Sequence, residues 1–366
     1  GEAAGAEPSA AAEVEPNVAA GIELSAALDT QGRLLRRLGR TDDARRCYAE
    51  ALGIDERLSA ADPSEDRLRR NVGLSHGRLA ELALHGGDLG DARASGEAAL
   101  GIHRALAEAF AETAVLQVDL ANALGVLAAV HRAQGDPATA RQLTEQALEL
   151  WRRLAPEDAS LADELAGAVG ALADLVRAEG SDPARARELT LEAAGIIEGL
   201  AEADPGSLPR KRQLLTSYWR LADMDVEAGD LACAGNHVAA GLSLAEHLAG
   251  VDEDSVDAWR DLAEALRRTA GHAAATGHPE EVRGNLERAL EIAERLVHRF
   301  PRAADRHREL AAAAERLGDW LREAGDHAAA RVLFRQGVAA SRRRAALDPH
   351  DAGAALAVQP KYRSVP

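Results

Sequence analysis

Gly39, Gly87, Gly135, Gly229, Gly277 and Gly325 fall at steps of 48 residues, with one double step of 94 between Gly135 and Gly229 that Gly180 divides. A chain punctuated at one interval over most of its length is built from one supersecondary unit repeated, because each unit buries its apolar face only against its neighbours. The residues after each glycine identify the unit. Asp comes next in Asp88, Asp136, Asp230 and Asp326, and one residue later as Asp182; Pro137 and Pro183 follow such an Asp, and Pro279 follows His278. Glycine takes the left-handed conformation that ends a helix, Asp accepts from the free amides that open the next, and proline suits the first helical position. Every glycine of the series therefore marks a helix-to-helix turn.

Small residues recur in the same phase. One set, before the turn, is Gly32, Ala80, Ala128, Ala173, Ala222, Ala270 and Gly318. A second, twelve residues on with one more in the fourth unit, is Ala44, Ala92, Ala140, Ala186, Ala234, Val282 and Ala330, and a third, seven further, is Ala51, Ala99, Ala147, Ala193, Gly241, Ala289 and Gly337. Small side chains at these places let two antiparallel helices approach closely, with Leu79, Leu127, Leu172, Leu221 and Leu317 filling the space beside them. Only 3% of residues are aromatic, while Ala, Leu, Arg and Glu dominate and favour helix. The expected fold is all-α, seven antiparallel helix pairs over about 21–63, 66–111, 114–157, 160–204, 207–252, 255–300 and 303–348.

This spacing of small residues, as in Leu317-Gly318, Ala330, Phe334 and Gly337, resembles the tetratricopeptide repeat over residues 21 to 350. The usual unit of that family has 34 residues, so 48 adds about two turns to each helix. Asp62-Pro63, Asp204-Pro205, Phe300-Pro301 and Asp348-Pro349 close several units. Such elongated arrays resemble those attached to bacterial signalling or defence kinases, caspase-like peptidases and nucleotide-switch ATPases. The resemblance implies a right-handed superhelical solenoid.

A net charge of −17 disfavours nucleic acid, whose binding draws on Lys and Arg at the phosphates. Cys47 and Cys233 lie apart from each other and from any ligand spacing, and read as small core residues rather than a disulfide or metal set. The longest uncharged apolar stretch, Leu120 to Val130, falls short of the roughly 20 residues of a membrane helix. With no signal-peptide pattern, the expectation is a cytoplasmic protein without a membrane partner. The sequence opens on Gly1 and its one methionine is Met224, so it reads as a piece or processed form of a longer product. Residues 1–18, rich in Ala, Glu and Pro, are expected as a flexible linker, and 351–366 as a tail.

Chemistry-bearing strings are few. Gly73-Leu74-Ser75-His76-Gly77 matches a nucleophile elbow, but an elbow needs a preceding strand and this string is expected to open the first helix of the second unit. Asp252 to Asp257 lacks the turn glycine of a calcium loop and reads as a turn capped by Asp254 or Ser255. His272 and His278 straddle a turn without further ligands. The expectation is no enzyme, cofactor or metal.

In tetratricopeptide arrays the first helices line a concave groove, and the resemblance carries groove positions onto this chain. The fifth positions include Gly77, Gly125, Gly170, Trp219 and Arg267; the ninth include Glu81, Ala129 and Asp223; the twelfth include Leu84, Arg132 and Arg177. Glycines in units two to four would leave the groove floor bare. Trp219, flanked by Asp223 and Arg267, has the character of a binding hot spot, or is buried between units. Arg132 with Arg177 would hold a carboxylate, and Asn122 resembles part of the family's lysine-rich clamp for chaperone tails. That clamp is excluded, since no groove position is lysine. The expected function is a protein-interaction scaffold holding a peptide, helix or partner domain; the alternative is the sensor or regulatory arm of a larger signalling or defence enzyme.

Overall fold

The structure, a computed structural model, describes residues 10–348. Fourteen α-helices and one short 3-10 turn occupy the described residues, with no strand among them. The chain divides into two compact units, residues 1–193 and 194–366.

The first unit holds α1 (Ala10–Arg37), α2 (Thr41–Ala61), α3 (Asp66–Gly86), α4 (Leu89–Ala109), α5 (Ala114–Ala133), α6 (Pro137–Leu154) and α7 (Ala162–Glu179). Helix α8 (Pro183–Ala203) carries the boundary. The second unit holds α9 (Leu208–Glu227), α10 (Leu231–Val251), α11 (Val256–Thr276), α12 (Pro279–Arg299), α13 (Ala304–Glu323) and α14 (His327–Leu347). Helix α1 starts at Ala10, inside the segment expected as linker, where alanine and glutamate favour helix. The remainder of that segment and the 351–366 tail lie outside the described residues.

All seven turn glycines have positive φ, between 66° and 89°. In six of the turns the residue after the glycine donates its N–H to the carbonyl five residues back, as Asp88 does to Ala83 (2.9 Å) and Asp136 to His131 (2.9 Å). That closes the first helix in a Schellman turn, and the same residue then opens the second. The carboxylates of Asp136, Asp182, Asp230 and Asp326 accept from the backbone N–H three residues on, at 2.9–3.1 Å. Ser255, rather than Asp254, caps α11 through Ala258.

All three sets of small residues are buried. In the first and last pairs a glycine of the first set makes room for an aromatic ring. Gly32 faces the ring of Tyr48 and Gly318 the ring of Phe334; a Cβ at either glycine would lie 2.4 Å or 2.8 Å from the aromatic carbons. Where the first helix carries Ala80 or Ala128, the position homologous to Tyr48 is Gly96 or Thr144.

Helix α5 corrects one expectation. At 20 residues it is long and apolar enough to cross a membrane by length and composition, whereas Leu120 to Val130 alone is not. More than half of that stretch is buried, and Ala121, Leu124, Leu127 and Val130 form a core cluster with Leu143, Ala147, Trp151 and Leu154 of α6. The run is apolar all round because α4 and α6 pack on it from both sides. Cys47 joins a core cluster with Leu28, Ala51 and Ile54, while Cys233 is only half-buried.

Candidate functional site

Within the first unit, the first helices α3, α5 and α7 bound a cleft of about 380 Å³ whose floor includes Ala147 and Trp151 of α6. Its lining is mostly apolar. Glu81, Leu84, Asn122, Gly125, Ala129 and Arg132 all line it, so two groove positions of the second pair meet those of the third, while Gly77 lies outside the lining. Gly125 is exposed, and a Cβ added there would meet nothing within 4 Å. A Cβ would meet nothing within 4 Å at Gly77 or Gly170 either, but both are half-buried and outside the cleft lining. These glycines sit in helix interiors where no neighbour requires a missing side chain, and at Gly125 the backbone is bare toward the open side. Arg177, by contrast, is exposed near the end of α7 and outside the cleft lining, so the structure does not place it with Arg132 there.

Within the second unit, Trp219 and Arg267 line another cavity of about 370 Å³ together with Arg260, Asp261, Glu264 and Glu309. Trp219 is half-buried against Leu215, Leu262 and their neighbours, and its Nε1 has no hydrogen-bond partner. The residue stacked over its ring is Arg268, with the guanidinium carbon 5.3 Å from the centroid. Arg268 also donates to Asp223 at 2.6 Å, whereas Arg267 pairs with Glu264 along its own helix. Trp219 thus has one side in the core and one capped by an ion pair.

Charged residues between successive first helices obey a rule that the sequence reading missed. Arg78 pairs with Asp29 (3.2 Å), Arg70 with Asp119 (3.2 Å at the second contact), Arg212 with Asp261 (2.7 Å) and Arg260 with Glu309 (2.9 Å). Each pair is separated by 49 residues, one repeat plus one. A search for opposite charges at that offset would have found them. Burial pushes the Asp261 carboxyl above the usual carboxylate range, with Arg212 pulling it back. The innermost rung, Arg70 to Asp119, lies beside the buried His103.

Ser75 sits mid-helix in α3, which begins at Asp66, so the Gly73–Gly77 string does not open its helix as expected from sequence. Glu65 caps that helix by accepting from Arg67 N–H, which starts it earlier. Gly73 is there for packing, since a Cβ would meet the His103 ring at 2.7 Å. The Ser75 hydroxyl donates to buried Asp55 at 2.6 Å.

Residues 120–158, the third helix pair, match the family described as tetratricopeptide repeat. No curated protein matches the sequence. Among solved structures, BtubC (BKLC) of P. vanneervenii is similar at 18% identity and TM-score 0.53, over 70% of this chain and 92% of that one. Aspartyl phosphate phosphatase F of Bacillus subtilis is similar at 10% identity and TM-score 0.50, over 92% of this chain and 73% of that one. Likeness at these identities speaks to fold alone. With the 48-residue spacing, the paired helices and the buried small residues, it gives the chain a tetratricopeptide-like repeat fold with elongated helices, of which residues 120–158 match the family itself.

Proposed function

We propose that this array is a protein-interaction scaffold, and that the first-helix face of its first unit receives a peptide, a helix or a segment of a partner domain. The observation that carries the reading is the cleft between α3, α5 and α7, apolar along its length and bare of side chain at Gly125. A glycine in an exposed helix interior costs about 0.5–1 kcal/mol relative to alanine. Gly125 is such a position in the cleft, and a partner's close approach to the backbone would offset that cost. Asn122 and Arg132 at the cleft supply the few polar contacts that fix orientation. The partner is a protein segment rather than nucleic acid, in keeping with the net charge of −17. Asp223 and Trp219 belong to a second, more polar candidate surface in the other unit.

The test is affinity capture with the wild-type chain and with Gly125→Leu, which fills the cleft without touching the core. Proteins retained by the wild type and lost by the variant, at unchanged helicity, are the expected result. Retention of the same proteins by both would sink the assignment of this cleft.

A further inference from the structure

Leu24 and Leu34 of α1 are 51% and 48% exposed. Their counterparts in later repeats are buried: Leu262 and Leu310 for Leu24, and Leu82, Val130 and Leu175 for Leu34. Those counterparts lie where a first helix meets the second helix of the pair before it. Leu310 and Ala313 of α13, for example, share a core cluster with Leu290 and Ala293 of α12. One step of 48 beyond Leu290 and Ala293 stand Val338 and Ser341 of α14, and the α1 residues equivalent to Leu310 and Ala313 are Leu24 and Ala27. Helix α1 therefore presents the face that in later pairs receives a second helix.

An apolar face alone does not name what covers it, but the charges around this one do. Between first helices, an arginine meets an acid 49 residues on: Arg70 with Asp119, Arg212 with Asp261 and Arg260 with Glu309. The next arginine of that series is Arg308, which pairs with Asp305 of its own helix at 3.0 Å. The acid position of the first pair, two steps of 48 before Asp119, is Glu23, which is exposed and has no ion pair among the described residues.

Second helices repeat the pattern. Arg152 pairs with Glu192 at 2.8 Å and Arg288 with Glu246 at 2.7 Å. In each case one residue lies twelve positions beyond its helix's small residue of the second set, and the other lies six beyond that of the next pair. The twelfth position of the last pair is Arg342 and the sixth of the first pair is Glu50, both exposed and without an ion pair among the described residues. One end thus carries two acids, and the other two arginines, at the places where successive pairs of this chain bond.

We infer that the chain associates head to tail with a second copy of itself, α14 of one copy packing on α1 of the next, with Arg308 paired to Glu23 and Arg342 to Glu50. Such a contact is heterologous, so each copy that joins offers a new end. One register position opposes it: Arg36 pairs with Glu81 between the first two pairs, and the equivalent residues across the new contact are Arg322 and Arg33. Asp319 and Asp29 in their own helices offset part of that repulsion. The inference does not rest on the cleft of the first unit, none of whose lining it uses.

Sedimentation equilibrium of the full chain, followed against concentration, tests it. The expected mass rises to two copies or more and falls back in high salt, because exposed ion pairs are screened. Glu23→Arg with Glu50→Arg weakens association about tenfold or more, and so does Arg308→Glu with Arg342→Glu. An equimolar mixture of these two double variants recovers it, since each retains the end that the other needs. Arg33→Glu removes the like-charge contact and tightens association about two- to fivefold. All five side chains are exposed, so circular dichroism should be unchanged. A chain that stays single up to about 1 mM overturns the inference, and means that another segment covers α1. It is equally overturned if Arg308→Glu with Arg342→Glu associates like the wild type, as two α1 faces meeting each other would, or if the mixture associates no better than its components.

Discussion

The ring of Tyr48 occupies the space that a side chain at Gly32 would need, its Cε1 only 2.4 Å from where a Cβ would stand. Tyr48 is almost fully buried, so its ring has nowhere to retreat. Gly32→Ala is expected to destabilise the first unit by about 1–3 kcal/mol, the usual cost of overpacking. Combining it with Tyr48→Leu should return part of that loss. Urea denaturation of the two single variants and the double variant measures the coupling; strictly additive effects would show that the two residues do not confront each other.

Two glycines ten residues apart are predicted to respond in opposite directions. Gly135 has φ 78° and closes the turn after α5, so Gly135→Ala forces a side chain into the left-handed region at a cost of about 1–2 kcal/mol. Gly125 is inside α5 with open space around it, so Gly125→Ala should stabilise by about 0.5–1 kcal/mol. Thermal melts of both variants check this. A loss at Gly125 would mean that the helix requires glycine there for a reason of packing.

His103 gives the first unit a dependence on pH. Burial pushes its imidazole below the ordinary value of 6.5; Asp119 and a hydrogen bond to the Gly73 backbone oppose this, and Arg70 adds to the lowering. The unfolded chain therefore takes up this proton at a higher pH than the folded chain. The associated stability is complete above the ordinary value and is lost as pH falls from there toward the lowered one. His76 is shifted in the same direction, by burial with Glu56 opposing. Unfolding free energies of the wild type and His103→Gln, compared from about pH 7.5 to pH 5, should diverge less as the pH drops, because the variant lacks that uptake. Parallel curves would remove His103 from the account.

The turns and the tight helix contacts were legible in the sequence because they depend on local chemistry. Positive φ selects glycine wherever it occurs, and a helix N-terminus selects Asp, Ser or proline from within three residues. The buried small residues were legible for a related reason, since their spacing is fixed by helix geometry within a single pair. The Arg70–Asp119 and Arg212–Asp261 rungs were not read, because their offset depends on how one pair stacks on the next. The exchange of Arg267 for Arg268 beside Trp219 has the same origin: adjacent residues differ by about 100° around a helix, and stacking decides which of them reaches across. Of the candidate groove, Asn122, Gly125 and Arg132 meet in one cleft as their shared helix dictates, whereas Arg177 depends on the neighbouring pair and falls outside the lining.

The glycine–aromatic matching has a consequence for how such an array diversifies. Gly32 with Tyr48 and Gly318 with Phe334 are fits that a Cβ at either glycine would break, while in the second pair Ala80 stands against Gly96. Recombination that moves a whole pair carries both halves of the fit with it. A crossover inside a turn would set Ala128 against Tyr48, and the chimaera would be overpacked at birth. The tolerated breakpoints in the gene are therefore those between pairs, which makes the helix pair, and not the single helix, the unit of inheritance.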